Sequence, residues 1–161
     1  MDIQRLFNIQ KELDQRIVEN HNLHGRNLIP DKVLALEVEL GELANETRCF
    51  KFWSFKDSSP QNVVLEEYVD CLHFILSIGL EKKFEQVSFV IKDHPRTVVQ
   101  QFQEVFERSA IFNKSMTKEN YLHLFNSFLT LGKKLGFSWT EVEEGYLMKN
   151  KINHKRQEEG Y

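Results

Sequence analysis

Proline and glycine are scarce in this chain of 161 residues, at three and seven. That scarcity excludes collagen-like and loop-rich classes, and 41% hydrophobic with 12% aromatic residues excludes a disordered chain. Positive charge is not in excess: 21 Lys and Arg against 24 Asp and Glu leave a formal net charge of −3. The broad positive field of a general nucleic-acid binder is therefore missing, and any basic site must be local. Cysteine is limited to Cys49 and Cys71, without His or Cys partners at zinc-finger spacing. Both are expected as buried thiols in a reducing compartment. No apolar run reaches the ~20 residues of a membrane span. The longest, Cys71 to Leu80, contains His73 and is expected as a buried core helix. Charges throughout MDIQRLFNIQKELDQR leave no stretch for a secretory signal, so a cytoplasmic protein is expected. No low-complexity linker divides the chain, and one domain over residues 1–161 is expected.

What is present repeats at three and four residues, not at two, which predicts an all-α fold. Ile3, Leu6, Phe7, Leu13 and Ile17 form one helical stripe, ended by a polar break from His21 to Asn27 that holds Gly25. Pro30 suits the first turn of a second helix carrying Val33, Leu34, Leu36, Leu40 and Leu43. Ser54 to Pro60 reads as a loop, and a third helix follows with Val63, Val64, Tyr68, Val69, Leu72, Ile75 and Leu76 on its apolar side. Pro95, Thr117 and Ser138 are expected helix starts, and Ser138 with Glu141 resembles a capping box. Gly132 and Gly136 are expected to mark the end of the penultimate helix.

Carboxylates concentrate on two consecutive helices, with Glu37, Glu39, Glu42 and Glu46 in ALEVELGELANE and Glu66, Glu67 and Asp70 in LEEYVDCLHF. Glu39 and Glu42 are three apart, as are Glu67 and Asp70, so each pair projects from one helical side. Each pair is also interleaved with Leu40, Leu43, Val69 and Leu72, which belong toward a core. Like charges held that close repel unless a cation lies between them, and a hard divalent ion such as Mg²⁺ is their natural partner. A solvated acidic face is the alternative; a di-iron site is disfavoured because neither helix holds Glu-x-x-His. His73, three after Asp70, is expected as a hydrogen-bonded or pocket-lining side chain and not as a ligand. Lys149, Asn153 and Arg156 share one helical side in YLMKNKINHKRQEEGY, a donor set suited to phosphate oxygens, with a frayed tail as the alternative. In RCFKFWSFK, core packing accounts for most aromatics, while Trp53 with Lys51 can wall a nucleotide pocket.

In this order, ALEVELGELANETRCFKFWS, EEYVDCLHFILSIGLE and YLMKNKINHKRQEEGY resemble the all-α dimeric dUTP pyrophosphatases, within the group that includes the MazG-like enzymes. The similarity runs from about Ile3 to Tyr161, with no motif between Lys82 and Asn113. The resemblance implies that Glu39, Glu42, Glu67 and Asp70 hold Mg²⁺ and that Lys149, Asn153 and Arg156 contact nucleotide or phosphate. It also implies that Gln10 frames a uracil pocket, that Trp53 and His73 lie near the nucleotide, and that Tyr161 closes the tail motif. Asp14 stands where some relatives carry a different polar residue. The implied chemistry is Mg²⁺-assisted hydrolysis of dUTP and dUDP to dUMP by water attacking the β-phosphorus, in a homodimer, with Glu42 or Glu39 as the proton acceptor. Cytosine would be rejected where Asn and Gln amides meet the uracil edge. A broader MazG-like pyrophosphatase and a non-catalytic helical interaction module are the competing readings.

Overall fold

The computed structural model describes residues 2–86, 88–91 and 95–161. Six helices and no strand occur among them: α1 (Ile3–Asn20), α2 (Ile29–Thr47), α3 (Gln61–Glu81), α4 (Val98–Lys114), α5 (Lys118–Lys134) and α6 (Trp139–Glu158). The all-α expectation holds, and α3 is the central element, meeting α1, α2, α5 and α6. Its sequence explains that position, since Tyr68, Cys71, Leu72, Ile75, Leu76 and Ile78 cover more than one side of the helix and all are buried. Each buried Leu or Phe contributes ~1.5–3 kcal/mol relative to exposure. The Cys71–Leu80 segment and Phe125 and Phe128 of α5 are spent on this core. Both cysteines are free; Cys71 is buried as expected, but Cys49, in the loop after α2, is only partly so. No described helix is long and apolar enough to cross a membrane.

Local signals account for most helix ends. The Ser138 hydroxyl accepts from the Glu141 N–H while the Glu141 carboxylate accepts from the Ser138 N–H, the reciprocal box expected at α6. Thr117 caps α5 through the Asn120 N–H, and Gly25 takes a left-handed φ of 77° in the break between α1 and α2. Two expectations need correction. Helix α4 starts after Pro95, because Thr97 and Gln100 form a second capping box. Leu34 is 63% exposed, since the α2 stripe facing the core runs through Val33, Leu36, Leu40 and Leu43. The end of α5 falls as expected: Gly136 follows it with a left-handed φ of 86°, and Gly132 lies in its last turn.

Its role there is close approach. Tyr68 of α3 lies against Gly132 so closely that a Cβ would overlap the phenol, and its hydroxyl donates to the Phe128 carbonyl at 3.3 Å. Tyr121 of α5 does the same in return: it covers Gly79 of α3 and donates to the Ile75 carbonyl at 3.0 Å. In both cases the accepting carbonyl lies one turn before the glycine.

Candidate active site

Helices α2 and α3 bring three of the four predicted ligands together. Glu39, Glu67 and Asp70 each offer a carboxylate oxygen, all within 4.8 Å of one another and all partly buried. The three-residue spacing on α3 puts Glu67 and Asp70 on one side, and Glu39 meets them from α2. Glu42, one turn further along α2, is exposed and stands outside the trio, although its charge reaches both Glu39 and Glu67. The remaining acids lie elsewhere: Glu37 accepts from Ser109 at 2.9 Å, and Glu46 accepts from Ser59.

Burial, reinforced by Asp70, Glu42 and Glu67, pushes the Glu39 carboxyl up to about 7. Burial raises Glu67 as well, again helped by Asp70 and Glu42. It also raises Asp70, against the pull of Lys149. The cluster therefore holds more negative charge than its surroundings neutralise. Lys149 of α6, only 11% exposed, donates to Asp70 Oδ2 at 2.7 Å and to Glu66 Oε1 at 2.9 Å. Burial works to lower the Lys149 ammonium, but these two hydrogen bonds outweigh it and the net shift is upward. All-oxygen donors on two rigid helices suit a hard divalent cation.

Glu39 and Asp70 of the trio line a cavity of about 400 Å³ formed mainly by residues of α1, α2, α3 and α6, among them Gln10, Asp14, His73, Lys149, Asn153 and Arg156, and Glu67 stands next to them outside its wall. Away from the acids, Gln10, Tyr146, Asp14 and Ser77 are paired, and His73 is paired through Nδ1 alone. His73 Nδ1 and Tyr146 Oη each lie 2.7 Å from Gln10 Oε1, and the His73 ring stacks on Tyr146 with centroids 4.1 Å apart. Gln10 Nε2 donates to Asp14 Oδ1 at 2.7 Å, and Ser77 Oγ donates to Asp14 Oδ2 at 2.6 Å. Burial, with Lys149 nearby, lowers His73 to about 3, so the ring is neutral at physiological pH. The same burial raises the Tyr146 phenol.

Four predicted residues are not on the cavity wall: Glu42 and Glu67, which stand beside its acidic end, and Trp53 and Tyr161, which lie farther off. Trp53 is 63% exposed and packs edge-on against Phe50 and Phe52 in the loop after α2. That loop is held by Arg48, which donates to the Lys56 carbonyl at 3.0 Å and to Ser54 Oγ at 2.6 Å. Tyr161 is exposed and lies under the Arg156 guanidinium, 5.2 Å from ring centroid to charge. The C-terminal segment itself is helical to Glu158 and tied to α1 through Arg16 with Glu158 and Asn20 with Gln157, so the frayed-tail alternative fails.

Sequence reasoning missed Ser77 and Tyr146 and gave Asp14 no partners. The signal was available: Gln10 and Asp14 are four apart on α1, His73 and Ser77 four apart on α3, and the two pairs face each other one to one. Tyr146 lies three before Lys149 on the side that also carries Asn153.

An all-α protein with an oxygen-donor cluster at one end of a cavity and cationic side chains on its rim is the class that fold and site define. Within that class, the dUTPase family profile matches residues 2–161, and the chain belongs to that family. It is a dUTP diphosphatase, with a nucleotide as substrate. Among curated proteins, none matches the chain.

Proposed function

We propose that the chain, working as one domain over residues 1–161, hydrolyses dUTP and dUDP to dUMP in a Mg²⁺-dependent reaction with attack at the β-phosphorus. The observation that supports this reading is the clustering of the Glu39, Glu67 and Asp70 carboxylates, two of which, Glu39 and Asp70, line a cavity that also holds Gln10 and His73. In this reading Glu39, Glu67 and Asp70 hold Mg²⁺, with Glu42 beside them. Burial, with the neighbouring carboxylates, lifts the Glu39 carboxyl to about 7, and a cationic ligand would relieve both penalties. The ion supplies Lewis-acid charge, which neutralises phosphate oxygens and makes water a better nucleophile.

The protein's own groups do the rest. Glu42, exposed and outside the trio, keeps its oxygens available to accept the proton of the attacking water. Lys149 and Arg156 stabilise charge on the departing phosphate, and Asn153 adds an amide on the same rim. Gln10 and His73 frame the base. Trp53 and Tyr161 reach the nucleotide from outside the cavity. Placement in the cytoplasm is proposed with this substrate. A homodimer is supported by the apolar surface that remains exposed, Leu34 with Val38 on α2 and Met148 with Ile152 on α6, each pair one turn apart.

The test is a hydrolysis screen over dUTP, dUDP, dCTP and dTTP with and without Mg²⁺, run in ¹⁸O-labelled water. Label in pyrophosphate from dUTP and in inorganic phosphate from dUDP is expected. Label in dUMP overturns attack at β, and equal turnover of dCTP and dTTP gives way to the broad-range MazG-like reading. Sedimentation at micromolar concentration tests the dimer.

A further inference from the structure

The hydrogen-bond polarity of the cavity wall starts at Asp14. A carboxylate accepts and does not donate, so the Gln10 amide must turn its NH2 toward Asp14 Oδ1, 2.7 Å away. Ser77 and Lys32 hold the other carboxylate oxygen at 2.6 and 3.5 Å. Gln10 Oε1 is thereby directed at Tyr146 Oη and His73 Nδ1, both at 2.7 Å. An amide oxygen also only accepts, so Nδ1 carries the imidazole proton and Nε2 keeps a bare lone pair. His73 is 6% exposed, and its Nε2 is buried without a partner among the described residues. Gln10, 3% exposed, makes no other hydrogen bond through its NH2 among the described residues, which leaves one N–H to offer.

We propose that Asp14 is a positioning residue for base choice: through Gln10 and His73 it makes the wall present one N–H donor and one bare nitrogen acceptor. The proposal rests on dUTP seating its base at this end of the cavity. The uracil edge carries a carbonyl acceptor beside an N3–H donor and so complements that pair. Cytosine carries an amino donor beside a bare N3, so both contacts become donor against donor and lone pair against lone pair. Thymine shares the uracil edge and is not rejected by this device.

Asp14→Asn removes the constraint, because an amide donates as well as accepts. Gln10 can then reverse, with its oxygen toward Asn and its NH2 toward His73, whose proton moves to Nε2. The preference for dUTP over dCTP, read as the ratio of kcat/KM values, should fall roughly 10- to 100-fold. The independent readout is ¹⁵N NMR of the imidazoles in the full-length protein. Wild type should show His73 protonated at Nδ1, with the Nε2 signal shifting on dUMP and not on dCMP, and the Asn variant should show the proton at Nε2 or shared between the two nitrogens. A wild-type His73 protonated at Nε2 overturns the proposal even if the variant folds poorly. A His73 that responds to dUMP while the variant keeps wild-type selectivity overturns Asp14's role and leaves the base site standing. A His73 indifferent to dUMP overturns both.

Discussion

At one end of the cavity Glu39, Glu67 and Asp70 crowd their carboxylates together, and burial with mutual repulsion lifts their proton affinities. At the other end Gln10, Tyr146, Asp14 and Ser77 are just as polar and more enclosed, yet each has a partner at 2.6–2.7 Å. The acidic array is built on two helices and the paired array on three, all equally regular, so the difference is one of electrostatic completeness. The acidic end costs stability until a cation joins it, whereas the paired end contributes stability by itself. Substitutions at the two ends should therefore move activity and folding in opposite senses.

The largest effect is expected from Glu39→Gln. Removing one of three crowded charges should lower dUTP turnover on the order of 10²–10³-fold, while the melting temperature in chelator stays level or rises. Wild-type turnover in this variant removes Glu39 from the metal site. Next comes Gln10→Leu, close in size but without polar atoms. It leaves His73 Nδ1 unpaired and Tyr146 Oη with only the Leu6 carbonyl at 3.5 Å, which should cost ~2–4 kcal/mol and lower Tm by roughly 5–15 °C. An unchanged melt would show that the paired end contributes little.

Acidity separates the two ends more finely. Glu39 has a folded value of about 7 against an ordinary 4.5, so its contribution to stability is full below 4.5 and is lost as pH rises through about 7. His73 has a folded value of about 3 against 6.5, so its contribution is full above 6.5 and is lost as pH falls toward 3. Between pH 7 and 5 the two oppose each other. In chelator, His73→Gln should gain more stability than wild type across that interval, and Glu39→Gln should gain less. Solvent screening at the half-exposed carboxylate holds the Glu39 difference to on the order of 1 kcal/mol. Parallel melting curves for all three proteins would contradict the shifts. The smallest expected effect is Trp53→Ala, within ~0.5 kcal/mol in stability because the ring contacts only its own loop. Its KM for dUTP should rise by less than about 10-fold, and an unchanged KM would remove Trp53 from the nucleotide.

The acidic end was legible in the sequence because a charge placed every three residues on an apolar helix is conspicuous. Helix ends were legible where a hydroxyl and a carboxylate form a box, as at Ser138 and Glu141. Thr97 with Gln100 was not noticed beside Pro95. The paired end was harder to read: Tyr146 and Ser77 sit on stripes that also pack the core, so periodicity alone gives them no polar role. Trp53 was attached to the nucleotide by resemblance, but the position of a loop side chain depends on Arg48 and its contacts and not on any repeat. Gly132 reads from sequence as part of a helix end, which it is, but its second role, close approach, depends on Tyr68, 64 positions earlier.

The reciprocal tyrosine and glycine contacts between α3 and α5 act as an index stop. Each phenol fits over a glycine of the other helix and hangs from the carbonyl one turn before it, at two points 11 residues apart along each helix. Sliding α3 by one residue, ~1.5 Å, would drive both rings into backbone and break both hydrogen bonds at once. Glu67 and Asp70 flank Tyr68 on that same rod. Their height above the cavity is thus gauged by α5, none of whose residues lines the cavity, and a lineage that altered one tyrosine or glycine would have to retune its opposite number to keep the carboxylates level.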